Sequence, residues 1–88
     1  MKLILAILRD EDSENISHGL ISAGFRVTRI ASTGGFWRRG NTTVMIGVED
    51  EKVDEAVEIM RSHAGRPAEE GSYRATLFVL NVAHYEHI

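Results

Sequence analysis

Between Asn15 and Val48 the sequence holds no aspartate or glutamate, although thirteen acidic residues are spread over its 88 positions. The same window carries Arg26, Arg29, Arg38 and Arg39 and no lysine. Near its centre, Thr33-Gly34-Gly35-Phe36-Trp37-Arg38-Arg39-Gly40-Asn41 brings together flexible backbone, adjacent aromatic rings, guanidinium groups and an amide. A guanidinium fork matches phosphate oxygens, a ring face accepts a planar base, and an amide reads a hydrogen-bonding edge. The chemistry is that of holding a phosphorylated, base-bearing ligand.

Each of these residues has a plainer reading. Gly34, Gly35 and Gly40 could be hairpin turn residues, and a glycine pair between strands is weak evidence for phosphate binding. Surface arginines usually pair with nearby carboxylates, but their concentration in an acid-free window favours an anion. Asn41 could be a turn amide or a reader of a base. Phe36 and Trp37 are adjacent at a loop tip and cannot both face the home core, so they pack on a neighbouring subunit or offer a face to a planar ligand.

Catalysis finds little support. The histidines at 18, 63, 84 and 87 fall on two helical positions and the C-terminal tail, and His84 with His87 is a weak metal signal. No Ser-His-Asp grouping, HExxH helix or Walker-type loop is present. A non-catalytic protein with no metal and no cofactor is expected. Zero cysteines remove thiolate chemistry and cysteine-ligated metals, which makes a cytoplasmic setting the default. The formal net charge of -3 argues against binding nucleic-acid polymers non-specifically, so an anion site must be local. The apolar run Leu3 to Leu8 is too short for a membrane span or a signal segment.

The elements that must position the window follow from periodicity. Lys2 to Arg9 reads as a central strand, apolar on both faces. Asp10 to Ser13 supply capping candidates for a helix carrying Ile16, Leu20 and Ala23 and ending at Gly24. Phe25 to Ser32 alternates imperfectly and is expected as an edge strand, with Arg26 and Thr28 on one face and Val27 and Arg29 on the other. Thr42 to Glu49 alternates cleanly, Val44, Ile46 and Val48 against Thr43, Met45 and Gly47. Gly47 has no side chain, which inside a strand often marks close approach by a ligand or another backbone. Asp50 is expected to cap a second helix with Val53, Ala56, Val57 and Met60 inward, stopped by Gly65 and Pro67. A last strand runs from Tyr73 to Val82.

The order β-α-β-β-α-β predicts one α+β domain over residues 1–88, a ferredoxin-like βαββαβ fold with an antiparallel sheet and both helices on one face. Two helices cover one face only, yet the first and last strands are apolar on both. Another copy of the chain is the available cover, so a homo-oligomer is expected.

At Arg26-x-Thr28, then Thr33-Gly34-Gly35-Phe36-x-Arg38-x-Gly40-Asn41-Thr42-Thr43 and Gly47, the sequence resembles the cyclic-di-AMP receptor family of PII-like signal transduction proteins. The resemblance runs from Met1 to about Ala64 and resumes at Ala75. It implies a homotrimer with nucleotide sites between neighbours and an unidentified protein target downstream. Arg26 and Thr28 would line the site, with Gly35, Phe36 and Trp37 in the loop beside them. Phe36 would stack on adenine, Asn41 would bond a base, Gly47 would offer backbone groups, and Phe78 would supply a further aromatic. Three features depart from the family pattern. Trp37 replaces a usual leucine, the connection after the second helix shrinks to about 66–72, and His87 stands where an amide is usual.

Overall fold

The computed structural model describes residues 1–31, 40–65 and 73–88. Its elements run in the expected order: β1 (Lys2–Arg9), α1 (Asp10–Ser22), β2 (Val27–Ala31), β3 (Asn41–Val48), α2 (Val53–His63) and β4 (Ala75–Asn81). The four strands form one antiparallel sheet in the order β2-β3-β1-β4, which is the ferredoxin-like arrangement. β1 is central, as its two apolar faces require.

Alternation along the strands separates the faces. Ile4, Ala6 and Leu8 of β1 and Val44, Ile46 and Val48 of β3 form one buried cluster with Ile16 and Leu20 of α1 and Ala56 and Met60 of α2. Burying each large side chain contributes about 1.5–3 kcal/mol. The opposite face carries Leu3 and Leu5, half-buried, and Phe78 and Leu80, each 47% exposed. Among the described residues no helix lies over that face.

The imperfect alternation of β2 has a structural cause. Arg29 pairs with Val44 and Ala31 with Thr43, leaving Ile30 as the extra residue of a bulge on the edge strand. Such a bulge twists an exposed edge away from open-ended pairing.

α1 ends in a Schellman motif. The Phe25 amide donates to the Leu20 carbonyl (2.9 Å), the Gly24 amide donates to the Ile21 carbonyl (3.0 Å), and Gly24 takes φ 94°. Phe25 then packs against the core cluster that contains Leu20. Ala23, expected on the inward stripe, is exposed because it lies one residue past the helix.

Two capping expectations are corrected. The residue preceding α1 is Arg9, and no side chain caps the helix; Asp10, Glu11 and Asp12 lie inside its first turn. Asp50 does not cap α2 either. It opens a 3₁₀ turn over Asp50–Lys52, and its carboxylate pairs instead with the Met1 ammonium at 2.9 Å. At the other end α2 ends at His63, ahead of Gly65, where Ala64 turns extended at φ -79° and ψ 149°; the stop expected at Pro67 lies outside the described residues. Gly65 serves close approach: a Cβ there would lie 2.7 Å from an Arg74 guanidinium nitrogen.

Candidate ligand-binding cleft

Because β2 and β3 are antiparallel, the start of β2 lies beside the end of β3. Thr28 stands opposite Met45 on the uncovered face, and Val27 pairs with Ile46 on the core face. Leu3 of β1 stands opposite Gly47. A cleft of about 750 Å³ opens over these positions, lined by Arg26, Thr28, Met45, Gly47 and Leu3 from the sheet. Met1 and the tail residues Val82, Tyr85 and His87 close its far side. Ligand pockets are usually of this size and mixed composition.

Gly47 sets the depth of the cleft. A Cβ at this position would come within 2.9 Å of the Met1 methyl, so bare backbone is what leaves the floor open. The neighbour at this position is a side-chain methyl, whereas the sequence expectation concerned a ligand or another backbone. A second hollow of about 270 Å³ shares Met1, Arg26 and Gly47 and extends toward Glu49 and Lys52.

The arginines divide as the two faces of β2 do. Arg29 approaches Glu14 of α1 at 3.8 Å, the ordinary fate of a surface arginine. Among the described residues Arg26 has no carboxylate within ion-pair distance, and no carboxylate lines the larger cleft. An unpaired guanidinium beside apolar walls is suited to an anion that carries a planar group.

Thus the structure brings together three of the eight residues singled out from sequence, Arg26, Thr28 and Gly47. Asn41 pairs with Arg9 at the other end of β3, six positions from Gly47 and about 20 Å away along an extended strand. Phe78 is exposed on the same face, opposite Leu5 on β4, with β1 and β3 between it and β2. The expectations for Gly35, Phe36 and Trp37 lie outside the described residues.

Of the tail, sequence reasoning noted only His87, as a departure from the family's amide, and placed neither Val82 nor Tyr85 beside the cleft. The Val82 amide donates to the Met1 carbonyl (3.1 Å), which carries the chain past β4 alongside the start of β1. His84 pairs with Glu86 at 3.1 Å, and no cluster of three metal-ligating side chains occurs among the described residues.

Asn41 belongs to a different assembly at the far end of the sheet. The Asp10 amide donates to the Gly40 carbonyl (2.9 Å), and the Thr42 hydroxyl donates to the Asp10 carboxylate. Gly40 takes φ 87°, a conformation that favours glycine. In the same turn of α1, Asp12 is 5% exposed and accepts two hydrogen bonds from Arg74, from Nε and Nη2, both at 3.0 Å. The Gly65 amide adds a third at 3.2 Å, and Glu11 lies 3.3 Å from Arg74. The hydrogen bonds to Asp12 hold the Arg74 guanidinium further above its ordinary pKa. Both ends of the 66–72 connection are therefore fixed to the first turn of α1.

A four-stranded antiparallel sheet in ferredoxin-like order, with two helices, defines a small α+β protein. The family model described as Cyclic-di-AMP receptor matches residues 1–70. The chain belongs to the cyclic-di-AMP receptor family, whose members are PII-like signalling proteins and not catalysts. It is similar to the nitrogen fixation nifHD2 region GlnB-like protein 1 of Methanosarcina barkeri, with 34% identity over 77 residues covering 73% of each chain. It is also similar to a functionally unknown protein from Pediococcus pentosaceus ATCC 25745. That crystal structure matches with a TM-score of 0.80 and 36% identity, over 99% of this chain and 96% of the other. No helix among the described residues is long and apolar enough to cross a membrane.

Proposed function

We propose that the chain is a single PII-like domain that binds cyclic di-AMP in the cleft over the open sheet face, at the boundary between subunits of a homotrimer. The supporting observation is the 750 Å³ cleft that gathers Arg26, Thr28 and Gly47, with no carboxylate among the described residues that line it. Arg26 takes a phosphodiester, Thr28 adds a hydroxyl donor, and the backbone at Gly47 lets the ring of the ligand approach. Phe36 stacks on one adenine with Gly35 and Trp37 beside it, and Asn41 bonds a base edge. The separation between Gly47 and Asn41 suits a ligand with two bases on opposite sides better than a compact mononucleotide.

Phe78 does not line this cleft, and a neighbouring subunit is the natural recipient of its exposed ring. Phe78, Val79 and Leu80 are each 45–47% exposed on the edge strand, a run of apolar residues that a second copy would cover. Binding alters the surface presented to a protein target, and no bond is broken.

The alternative is a PII-like trimer sensing ATP. Triphosphate sites combine a glycine nest with lysine and often a metal-coordinating oxygen. The described residues that line the cleft include no lysine and no carboxylate, which favours the metal-free phosphodiester. Calorimetry at fixed ionic strength tests the choice: cyclic di-AMP binds at least about tenfold more tightly than ATP and without magnesium. Equal or tighter binding of ATP, or dependence on magnesium, rejects it. Light scattering that finds a stable monomer at micromolar concentration rejects the trimer. Binding that leaves Trp37 fluorescence unchanged rejects the placement of that ring beside the base.

A further inference from the structure

β1 stops and α1 starts at Asp10, so the Asp10 amide is among the first of the helix and has no acceptor within it. It donates to the Gly40 carbonyl (2.9 Å). Thr42 is 3% exposed on the core side of β3, where a hydroxyl needs a partner, and it donates to the carboxylate of the same aspartate. One residue therefore ties the chain on both sides of Asn41, by its main chain before it and by its side chain after it.

Asn41 has little else in the sheet to hold it. It is the first residue of β3, and its register partner Arg9 is the last of β1. Among the described residues the pairing of β3 with β2 reaches Thr43 and stops short of Asn41. Strand alternation puts Asn41 on the face away from Thr42, the open face that also carries Met45 and Gly47. Asp10 itself stands on a fixed support. The buried Ser13 hydroxyl donates to its carbonyl (3.2 Å), and two residues on Asp12 is held by Arg74 and Gly65.

We propose that Asp10 is the positioning residue for Asn41: its ties to Gly40 and Thr42 hold the strand end so that the Asn41 amide meets a base edge in alignment, and Asp10 does so without touching the ligand. The proposal rests on the reading of Asn41 as the amide that bonds a base of the cyclic dinucleotide. A hydrogen bond weakens steeply with misalignment, and an amide on a frayed strand end is ordered at the expense of affinity. A group that recognises a ligand therefore needs a support that fixes it beforehand. Asp10 supplies that support from the core side of the sheet, where its carboxylate meets the Thr42 hydroxyl.

The test is a double-mutant cycle read by calorimetry with cyclic di-AMP, on wild type, Asp10→Ala, Asn41→Ala and the double variant, each kept below its melting transition. Asn41→Ala weakens binding by about tenfold and Asp10→Ala by about fivefold. Without the amide Asp10 has nothing to position, so adding Asp10→Ala to Asn41→Ala weakens binding by no more than about a further twofold. A general loosening of the fold would multiply the two factors instead. Thr42→Val removes the hydroxyl with little change of volume, gives the same pattern against Asn41→Ala, and takes the place of Asp10→Ala if that variant does not fold. Multiplied losses, or wild-type affinity in either folded variant, overturn the positioning role. Wild-type binding that Asn41→Ala leaves unchanged overturns the reading of Asn41, and failure of the wild type to bind overturns the reading of the cleft itself.

Discussion

Where β1 finishes and α1 begins, polar groups close on one another: Asp10 with Gly40 and Thr42, Asp12 with Arg74 and Gly65. Where β1 starts and β3 finishes, the polar groups face open space, with Arg26 and Thr28 set among Leu3, Met45 and the bare backbone of Gly47. Both ends belong to the same antiparallel strands, and their burial differs accordingly. The side chains of Arg74 and Asp12 are 16% and 7% exposed, against 34% and 59% for the Met1–Asp50 pair at the cleft end. A satisfied, buried polar network fixes geometry, because any rearrangement strands a charge away from water. An unsatisfied, half-open one keeps its hydrogen-bonding capacity for a ligand. The closed end frames the two loop bases, and the open end is the one proposed to receive the ligand.

The substitution with the largest expected effect destroys both ends together. Ile4 is fully buried in mid-sheet, between Ile46 and Val79. Ile4→Asp places a charge there with no partner and costs more than about 4 kcal/mol. Chemical denaturation then finds little folded protein in water. A cooperative transition near that of the wild type would mean that this position is not core.

Arg26→Ala separates the ends. Arg26 is exposed and has no ion-pair partner among the described residues, so stability changes by no more than about 0.5 kcal/mol. Binding of cyclic di-AMP falls by about tenfold or more. Phe36→Ala falls by a similar factor if stacking contributes about 1–3 kcal/mol. Loss of stability in Arg26→Ala with affinity retained would reverse the assignment of the open end.

Asp12→Ala is the converse. It leaves Arg74 without its bidentate partner and the Gly65 amide without an acceptor, and it frees both ends of the 66–72 connection. Its denaturation midpoint falls well below that of Asp54→Ala, an exposed control on α2 expected within about 0.5 kcal/mol of wild type. Equal midpoints for the two variants would show that the closed end holds nothing together.

The two ends also differed in how far the sequence disclosed them. The strands and helices were legible because burial follows periodicity: Val44, Ile46 and Val48 alternate, and Val53, Ala56, Val57 and Met60 repeat at helical spacing. Arg26, Thr28 and Gly47 were grouped by the family resemblance alone, and it is the antiparallel pairing in the structure that brings the start of β2 to the end of β3. The tail could not be placed, since Tyr85 and His87 follow the last strand and nothing in their spacing says which way the chain turns. The Asp12–Arg74 clamp was hidden for a related reason. Local propensity reads Asp12 as a helix-start carboxylate, and its partner is remote in sequence. Asp50 misled in the same way, taken for a cap when a nearby ammonium claims its oxygen.

The smallest expected effect lies with Asp50, the ion pair at the open end. Hydrogen bonding to the Met1 ammonium holds the Asp50 carboxyl below its ordinary value of 3.8, aided by the charges of Met1 and Lys2 and opposed by slight desolvation. A depressed folded pKa contributes stability that is fully present above the unfolded value and is lost as pH falls through the folded one. Asp50→Asn should therefore be slightly less stable than wild type between about pH 5 and 7, and the difference should shrink below about pH 4 as the wild-type carboxyl takes its proton. Both partners are exposed, so added salt should reduce the difference at neutral pH. The Asp12–Arg74 clamp, being largely buried, should respond less to the same salt. Thermal melts of Asp50→Asn and Asp12→Ala across pH and ionic strength measure both dependences. An Asp50→Asn difference that grows on acidification would contradict the sign of the shift, and a salt response equal at the two pairs would erase the contrast in burial between the two ends.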